Sequence, residues 1–411
     1  MKKIITVAVI GAGARGNAYT GCMLDRPDEF KVVAICDKNE KRVANMAKRL
    51  GVDNNGLYYD EDEFFKEKRA DLLIVATQDQ DHVGHAIKGL ELGYDILTEK
   101  PISNKEEECR QLLDAQRKAG RKVFVCHVLR YAPAFVKMKE LIDCKLIGET
   151  VMIDVIEQVW YFHQAHSYVR GNWRRTEDTS PMIIAKCCHD LDILQWYANS
   201  RCESISSIGD LRFFKKENQP EGASDRCCDC KYKQTCPYSA VEGYKLEGGK
   251  WGASYVTDVR PVTQEAIDYA LKTGPYGRCV FASDNDAVDN QIVTMRFENG
   301  ITANLRMTGF THGGGRIVKV YGTYGELVLE GDYIKVKVFG KKTEEILIKD
   351  LMEGNYAHGG GDGGLISALY GMLTGETEER TSLSASVESH LMGFAAEKSR
   401  LNGGMLVKIE H

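Results

Sequence analysis

Ile4-Ile5-Thr6-Val7-Ala8-Val9-Ile10-Gly11-Ala12-Gly13-Ala14-Arg15-Gly16 decides the fold. The continuous apolar run predicts a buried parallel strand, and the glycines directly after it let the backbone turn sharply and approach a ligand closely. A helix is expected to open there, with its unpaired amides and positive dipole end facing phosphate charge. Val32-Val33-Ala34-Ile35-Cys36 reads as a second strand, closed by Asp37. That carboxylate follows the last glycine by about 20 residues, the spacing at which an acid accepts hydrogen bonds from the adenine ribose hydroxyls. These features predict a dinucleotide site lined by Gly11, Gly13, Ala14, Arg15, Gly16 and Asp37. NAD fits it better than NADP, because Asp37 would repel a 2′-phosphate.

The alternation continues beyond this unit. Val43, Met46, Ala47 and Leu50 recur at helical spacing before Gly51, and Asp71 to Thr77 reads as a fully buried strand. A helix is expected over 81–92, a strand over 94–98, a helix over 106–119 and a last strand over 122–126. After about residue 150 the pattern changes to alternating runs at 151–160, 205–214, 291–297, 301–308, 316–321 and 333–339, which predict an antiparallel sheet. Glu298-Asn299-Gly300 is a hairpin signal within it. Residues 215–285 are polar and rich in Gly and Cys, and read as an inserted excursion. Helices over 364–373 and 384–400 finish the chain.

With 411 residues, two or three domains are expected, and a net charge of -5 gives no reason to expect nucleic acid or an anionic membrane as partner. Lys2-Lys3 before the first apolar run would suit a short secretory signal, but the nucleotide fingerprint accounts for the same residues. No run is long enough to span a bilayer. Thirteen cysteines, an odd number, read as mostly reduced thiols in a cytoplasmic protein. Cys227, Cys230 and Cys236 have spacing that suits three ligands of a structural zinc, with free thiols in a packed loop as the alternative.

Glu99-Lys100-Pro101 stands at the carboxyl end of a predicted parallel strand, where open α/β sheets bind ligands. Proline fixes the backbone beside Lys100, so its ammonium has a defined direction from which to stabilise an oxygen losing its proton. His189, in Lys186-Cys187-Cys188-His189-Asp190-Leu191-Asp192, is suited to general base work near neutral pH. Lys186 and Asp192 lie close enough along the chain to tune that imidazole or to meet substrate. Upstream, aromatic and basic residues crowd 160–175. His166, Tyr168, Arg170 and Trp173 are the expected sugar contacts, against the alternative of core packing. His358-Gly359-Gly360-Gly361-Asp362 reads as a loop near the substrate, with Asp362 capping a helix.

The glycine motif, Thr77 with His82, Glu99-Lys100-Pro101, Arg130-Tyr131-Ala132-Pro133 and His189-Asp190-Leu191-Asp192 together resemble the Gfo/Idh/MocA family, named for glucose-fructose oxidoreductase and inositol dehydrogenase. The resemblance implies an α/β fold: an N-terminal Rossmann domain, placed at 1–127, and a C-terminal α/β domain with an open, mostly antiparallel sheet at 128–411, whose last helices pack back on the first domain. It implies NAD(P)-dependent hydride transfer at a hydroxyl carbon of a sugar, glycoside or cyclitol, with Lys100 and His189 as the catalytic pair. Thr77, His82 and Glu99 would lie at the cofactor, and a homodimer or homotetramer would form through the sheet. Two departures stand out: Ala185 where polyol dehydrogenases of the family carry Asp, and Gln78-Asp79 where many members have Pro-Asn. The first keeps open a glycoside hydrolase or lyase that oxidises a sugar carbon only transiently. A nucleotide-binding regulator without turnover is the third reading.

Overall fold

In the computed structural model, which describes residues 3–352 and 358–411, the opening apolar run becomes strand β1 (Ile5–Ile10), almost wholly buried. Around it lie β2 (Phe30–Cys36), β3 (Leu57–Tyr58), β4 (Leu72–Val75), β5 (Asp95–Thr98) and β6 (Val123–Val125). All pairs are parallel, in the order β3-β2-β1-β4-β5-β6. Strand order reverses between β1 and β4, so the ligand crevice of a doubly wound sheet opens beyond their carboxyl ends. The helix Ala14–Leu24 starts from Gly13, and no side chain caps its first turn. Its leading amides are therefore left for a ligand. The helix Glu40–Leu50, by contrast, is capped by the Asn39 side chain and stops at Gly51 in the left-handed conformation.

The second sheet has nine strands: β7 (Thr150–Gln158), β8 (Cys202–Asp210), β9 (Asn290–Phe297), β10 (Thr302–Thr308), β11 (Gly315–Gly322), β12 (Gly325–Glu330), β13 (Tyr333–Val338), β14 (Glu344–Leu347) and β15 (Val407–Lys408). They run in the order β14-β13-β12-β11-β7-β10-β9-β8-β15, antiparallel except for the parallel pair of β7 and β10. In β9 the side chains of Val293, Met295 and Phe297 enter the core while Ile292, Thr294 and Arg296 face outward, the period-two burial of a sheet covered on one side. The expected strand over 205–214 ends early, at Asp210. There Asp289 accepts the amides of Arg212 and Phe213 at 3.0 and 2.7 Å and turns the chain out of the sheet.

Residues 215–285 leave the sheet between β8 and β9 and build their own small cores. Phe162, Cys227, Ala240, Tyr244, Ile267 and Leu271 form one, and Phe214, Val280 and Phe281 join Ala165 and Val169 in another. The helix Gly361–Thr374 places Leu365, Ile366, Leu369 and Met372 against the first sheet, in a cluster with Val7, Tyr19 and Phe30. The helix Leu383–Leu401 touches both halves. Leu383, Val387 and Leu391 pack with residues of the first sheet, and Met392, Ala395 and Ala396 with the core of the second. The crevice is thereby braced from below by one continuous helix.

Candidate active site

Gly11 adopts φ +99°, and a Cβ there would run into the Ala76 carbonyl, so the turn admits no side chain. At Gly13 the situation is reversed: a Cβ would meet no protein atom within 4 Å. The open space beside uncapped helix amides is what a pyrophosphate needs. Asp37 accepts the Ala12 and Asn39 amides, each at 2.8 Å, one on each oxygen. A carboxylate has about four acceptor positions, so both oxygens keep one for a ribose diol. These residues fit a dinucleotide.

Arg15 bonds Glu99 through Nε at 2.6 Å and clasps both oxygens of Asp362 at 2.7 and 3.2 Å. Glu99 also accepts from Tyr19 Oη and from the Lys100 amide at 2.8 Å. Burial works against its charge, yet Arg15 and Lys100 hold Glu99 below the usual carboxylate range. Glu99 is thus a buried strut fixing the Lys100 backbone. His82 is a second strut: 1% exposed, it sits 2.7 Å from the Pro101 carbonyl and 3.3 Å from that of Thr77, tying the end of β4 to the turn after β5. The Thr77 hydroxyl bonds His85 at 3.1 Å.

Lys100 Nζ donates to the carbonyl of Ala185 at 3.1 Å, the residue where the family's Asp is missing. One turn further on, the His189 ring is 6% exposed, with its Nδ1 buried and unpartnered among the described residues. Burial, and next the charge of Lys100, push His189 well below the ordinary histidine range; Arg316, His127 and His358 add to this. The imidazole is neutral across the physiological range. His127 stands edge-on at 6.0 Å between ring centres, and His358, from the second glycine-rich segment, lies 6.4 Å away with its Nδ1 3.1 Å from Asp362.

Four charged groups brace this pair from the second domain. Arg316 spans Asp190 at 2.6 Å and Glu157 at 2.7 Å, and Lys186 reaches Glu157 at 3.3 Å. Burial and the neighbouring Glu157 push Asp190 up to about 6 in spite of Arg316. His163, held well below its ordinary value by burial and by Lys186, His166, Lys100 and Arg316, joins the same crevice. Sequence reasoning named Lys186, counted His163 within the aromatic and basic stretch 160–175 and read the His358 segment as a loop near the substrate, but it did not single out Arg316 or Glu157, which come from separate strands and carry no shared motif.

Other expected contacts are largely engaged within the protein. Arg170 is fully buried, donating to the Arg278 and Tyr238 carbonyls at 2.7 and 2.6 Å. His166 bonds Tyr244 at 2.7 Å and is sandwiched between Trp251 and Tyr276. Burial, then Arg170, push it down to about 3. Tyr168 is core, and Asp192 is clamped by Arg130 through two bonds of 2.7 Å. All four are buried and engaged by other protein groups. Trp173 is half-buried, and its Nε1 donates to Asp79 at 3.0 Å, as does Ser180 at 2.8 Å, so Asp79 docks the loop of the second domain onto β4. Among the described residues no group of three or more His, Cys, Asp or Glu is arranged to hold a metal ion. The zinc expectation at Cys227, Cys230 and Cys236 is corrected accordingly: Cys227 packs in a core and accepts from Arg170 at 3.6 Å.

A family model described as an oxidoreductase family NAD-binding Rossmann fold matches residues 5–127, and its companion, the C-terminal alpha/beta domain, matches 139–409. The chain belongs to the Gfo/Idh/MocA oxidoreductase family. An inositol 2-dehydrogenase of Rubrobacter xylanophilus is 24% identical over 49% of this chain and 54% of its own length. The matches span between about half and two thirds of the length of such curated relatives. Among solved structures, levoglucosan dehydrogenase in complex with NADH is similar at a TM-score of 0.73, with 17% identity and full coverage of both chains. The WlbA dehydrogenase of Bordetella pertussis, in complex with NADH and UDP-GlcNAcA, gives 0.72 with 16% identity over 100% of this chain and 99% of its own. At these identities the structural likeness is one of fold. Among the described residues of this Gfo/Idh/MocA member, no helix is long and apolar enough to cross a membrane.

Proposed function

We propose that this protein is an NAD-dependent dehydrogenase that moves a hydride between the nicotinamide and a hydroxyl carbon of a sugar, glycoside or cyclitol. The observation that carries the reading is the meeting of Lys100 and a neutral His189 in the crevice beyond β4 and β5, with an open phosphate cradle at Gly13. NAD, held by the Gly11–Gly16 turn and Asp37, supplies the hydride acceptor. Lys100 is the donor that meets the substrate oxygen and favours it as negative charge develops there. His189 takes the hydroxyl proton. Surrounded by Lys100 and Arg316 it is a weak base, so the proton must move on. His358, exposed at the mouth of the crevice, offers an exit to solvent.

The substrate class is supported by the family and by relatives named for inositol and levoglucosan. Trp173 is the expected contact that remains beside the crevice, and Lys186 and His163 face it from the second domain. The outward face of the nine-stranded sheet, with Ile208 and Ile292 exposed, suits a homodimer or homotetramer, and we place the protein in the cytoplasm. Assay of a panel of sugars, glycosides and inositols for NADH formation tests the proposal. Reduction of NAD by at least one polyol supports it. Glycoside cleavage without net NADH would replace it with the hydrolase or lyase reading, and NAD binding without any turnover with a regulator.

A further inference from the structure

The insertion at 215–285 does more than fold on itself: it crosses to the first domain and touches the segment that follows Asp37. Asp258 accepts from the Asn39 side-chain amide at 3.0 Å and from Arg42 Nε at 3.0 Å, with a second Arg42 nitrogen at 3.4 Å. The stretch that carries Asp258 is anchored nearby by aromatic rings. Trp251 stacks on Trp160 and on His166, and Tyr255 meets His166 edge-on. Both polar ends of the Asn39 side chain are engaged. Its oxygen caps the helix Glu40–Leu50 through the Lys41 and Arg42 amides, and its nitrogen is taken by Asp258. The Asn39 backbone amide meanwhile donates to Asp37. One residue therefore joins the ribose-binding carboxylate of the first domain to a carboxylate of the second.

A 2′-phosphate on the adenine ribose would sit beside Asp37 and would need donors and positive charge from the chain just beyond β2. Of the donors there, Lys38, Asn39, Lys41 and Arg42, the two that Asp258 touches are the Asn39 amide and the Arg42 guanidinium, whose planar fork suits phosphate oxygens. Asp258 engages both and adds a second negative charge. A free ribose meets no such conflict, since its hydroxyls use the remaining acceptor positions of Asp37. We propose that Asp258, supplied by the insertion, is a coenzyme-selectivity residue that excludes NADP by neutralising Arg42, in addition to the repulsion from Asp37. The inference rests on the dehydrogenase reading and deepens it. Selection against the phosphorylated coenzyme comes here from a repulsive element of the substrate domain, not only from the nucleotide domain.

Calorimetric titration of the full-length protein with NAD and with NADP tests this, using the wild type, Asp258→Asn, Asp258→Ala and the double variant Arg42→Ala/Asp258→Asn. Removing one charge a few ångströms from a phosphate dianion is expected to shift the NADP-to-NAD affinity ratio roughly tenfold toward NADP, with NAD affinity held within about threefold. The double variant should return the ratio to the wild-type value, because the freed guanidinium is what receives the phosphate. A purely structural role for Asp258 would weaken both coenzymes together and leave the ratio alone. An unchanged ratio in Asp258→Asn, which keeps shape and size, overturns the inference even if the alanine variant unfolds. Failure of the wild type to bind either dinucleotide would instead bring down the dehydrogenase reading, and this inference with it.

Discussion

Among the cations around the crevice, Arg316 and Lys186 are held by carboxylates, whereas Lys100 bonds a backbone carbonyl and no carboxylate pairs with it among the described residues. Its charge is available to a substrate oxygen. Lys100→Met is therefore expected to lower kcat by about 10²- to 10⁴-fold while the NAD dissociation constant stays within about threefold, read by steady-state kinetics and calorimetry. Retained turnover would remove Lys100 from the chemistry. The glycines give a second, sharper contrast. A methyl at Gly13 meets no protein atom, so Gly13→Ala is expected to unfold at the wild-type temperature yet bind NAD at least about tenfold more weakly. Gly11→Ala, forced against Ala76 at positive φ, should lose stability itself. Equal NAD affinity in Gly13→Ala would mean that the space is not the ligand's. The places of Lys100 after a strand and of His189 at the start of a helix were legible in the sequence, because each lies in a local motif beside an apolar run. His166 and Arg170 turn inward, and the sequence left sugar contact and packing open for a chemical reason: rings and guanidinium groups that suit a sugar also suit the inside of a small polar insertion. Arg316 and Glu157 were invisible, since only the pairing of β7 with β11 brings them together.

At the scale of elements, the first sheet, apart from its two-residue edge strand β3, follows directly from periodicity, with the helix over Glu106–Ala119 read to its bounds. β12 and the short edge strands β14 and β15 were not legible, for different reasons: β12 is a brief run between glycine turns, and the edge strands are partly exposed and carry little apolar pattern. The insertion shows the general difficulty. It has few long apolar runs, and its order comes from buried polar bonds between distant residues, with Arg170 at the centre. That guanidinium is sealed from solvent and satisfies two carbonyls of separate loops. Arg170→Met is expected to cost about 3 kcal/mol, because it leaves both carbonyls buried without donors. Thermal unfolding would show the loss, and kinetics on the folded fraction should keep KM near its wild-type value. A raised KM with unchanged stability would restore Arg170 to the substrate site.

At the scale of the molecule, the distribution of buried histidines sets how the whole fold responds to acid. His85, His127, His163, His166, His189 and His390 are all held below the ordinary value by burial first of all, His166 and His390 down to about 3. They come from both domains and from the helix Leu383–Leu401 that joins them, so their loss is felt globally. The sign follows from linkage. His163, His166, His189 and His390, the most strongly shifted, stay neutral when folded, whereas a histidine takes a proton near pH 6.5 when unfolded, so the unfolded chain binds more protons below that pH and stability falls as pH falls. Every such group contributes up to about 1.4 kcal/mol per pH unit once the pH is below about 6.5. Asp190, pushed up to about 6, works the other way in the interval between its unfolded and folded values and offsets one histidine. The four most strongly shifted histidines less the offset from Asp190 leave three net groups, and Tm is expected to be nearly level from about pH 7 to 8 and to drop between about pH 6 and 5, before the carboxylates titrate. Calorimetric or dichroism melting across that range checks it. A Tm that holds level to about pH 4.5 and falls only in the carboxylate range would show that these imidazoles take up protons in the folded state, and with that the neutral base assigned to His189 would be lost as well.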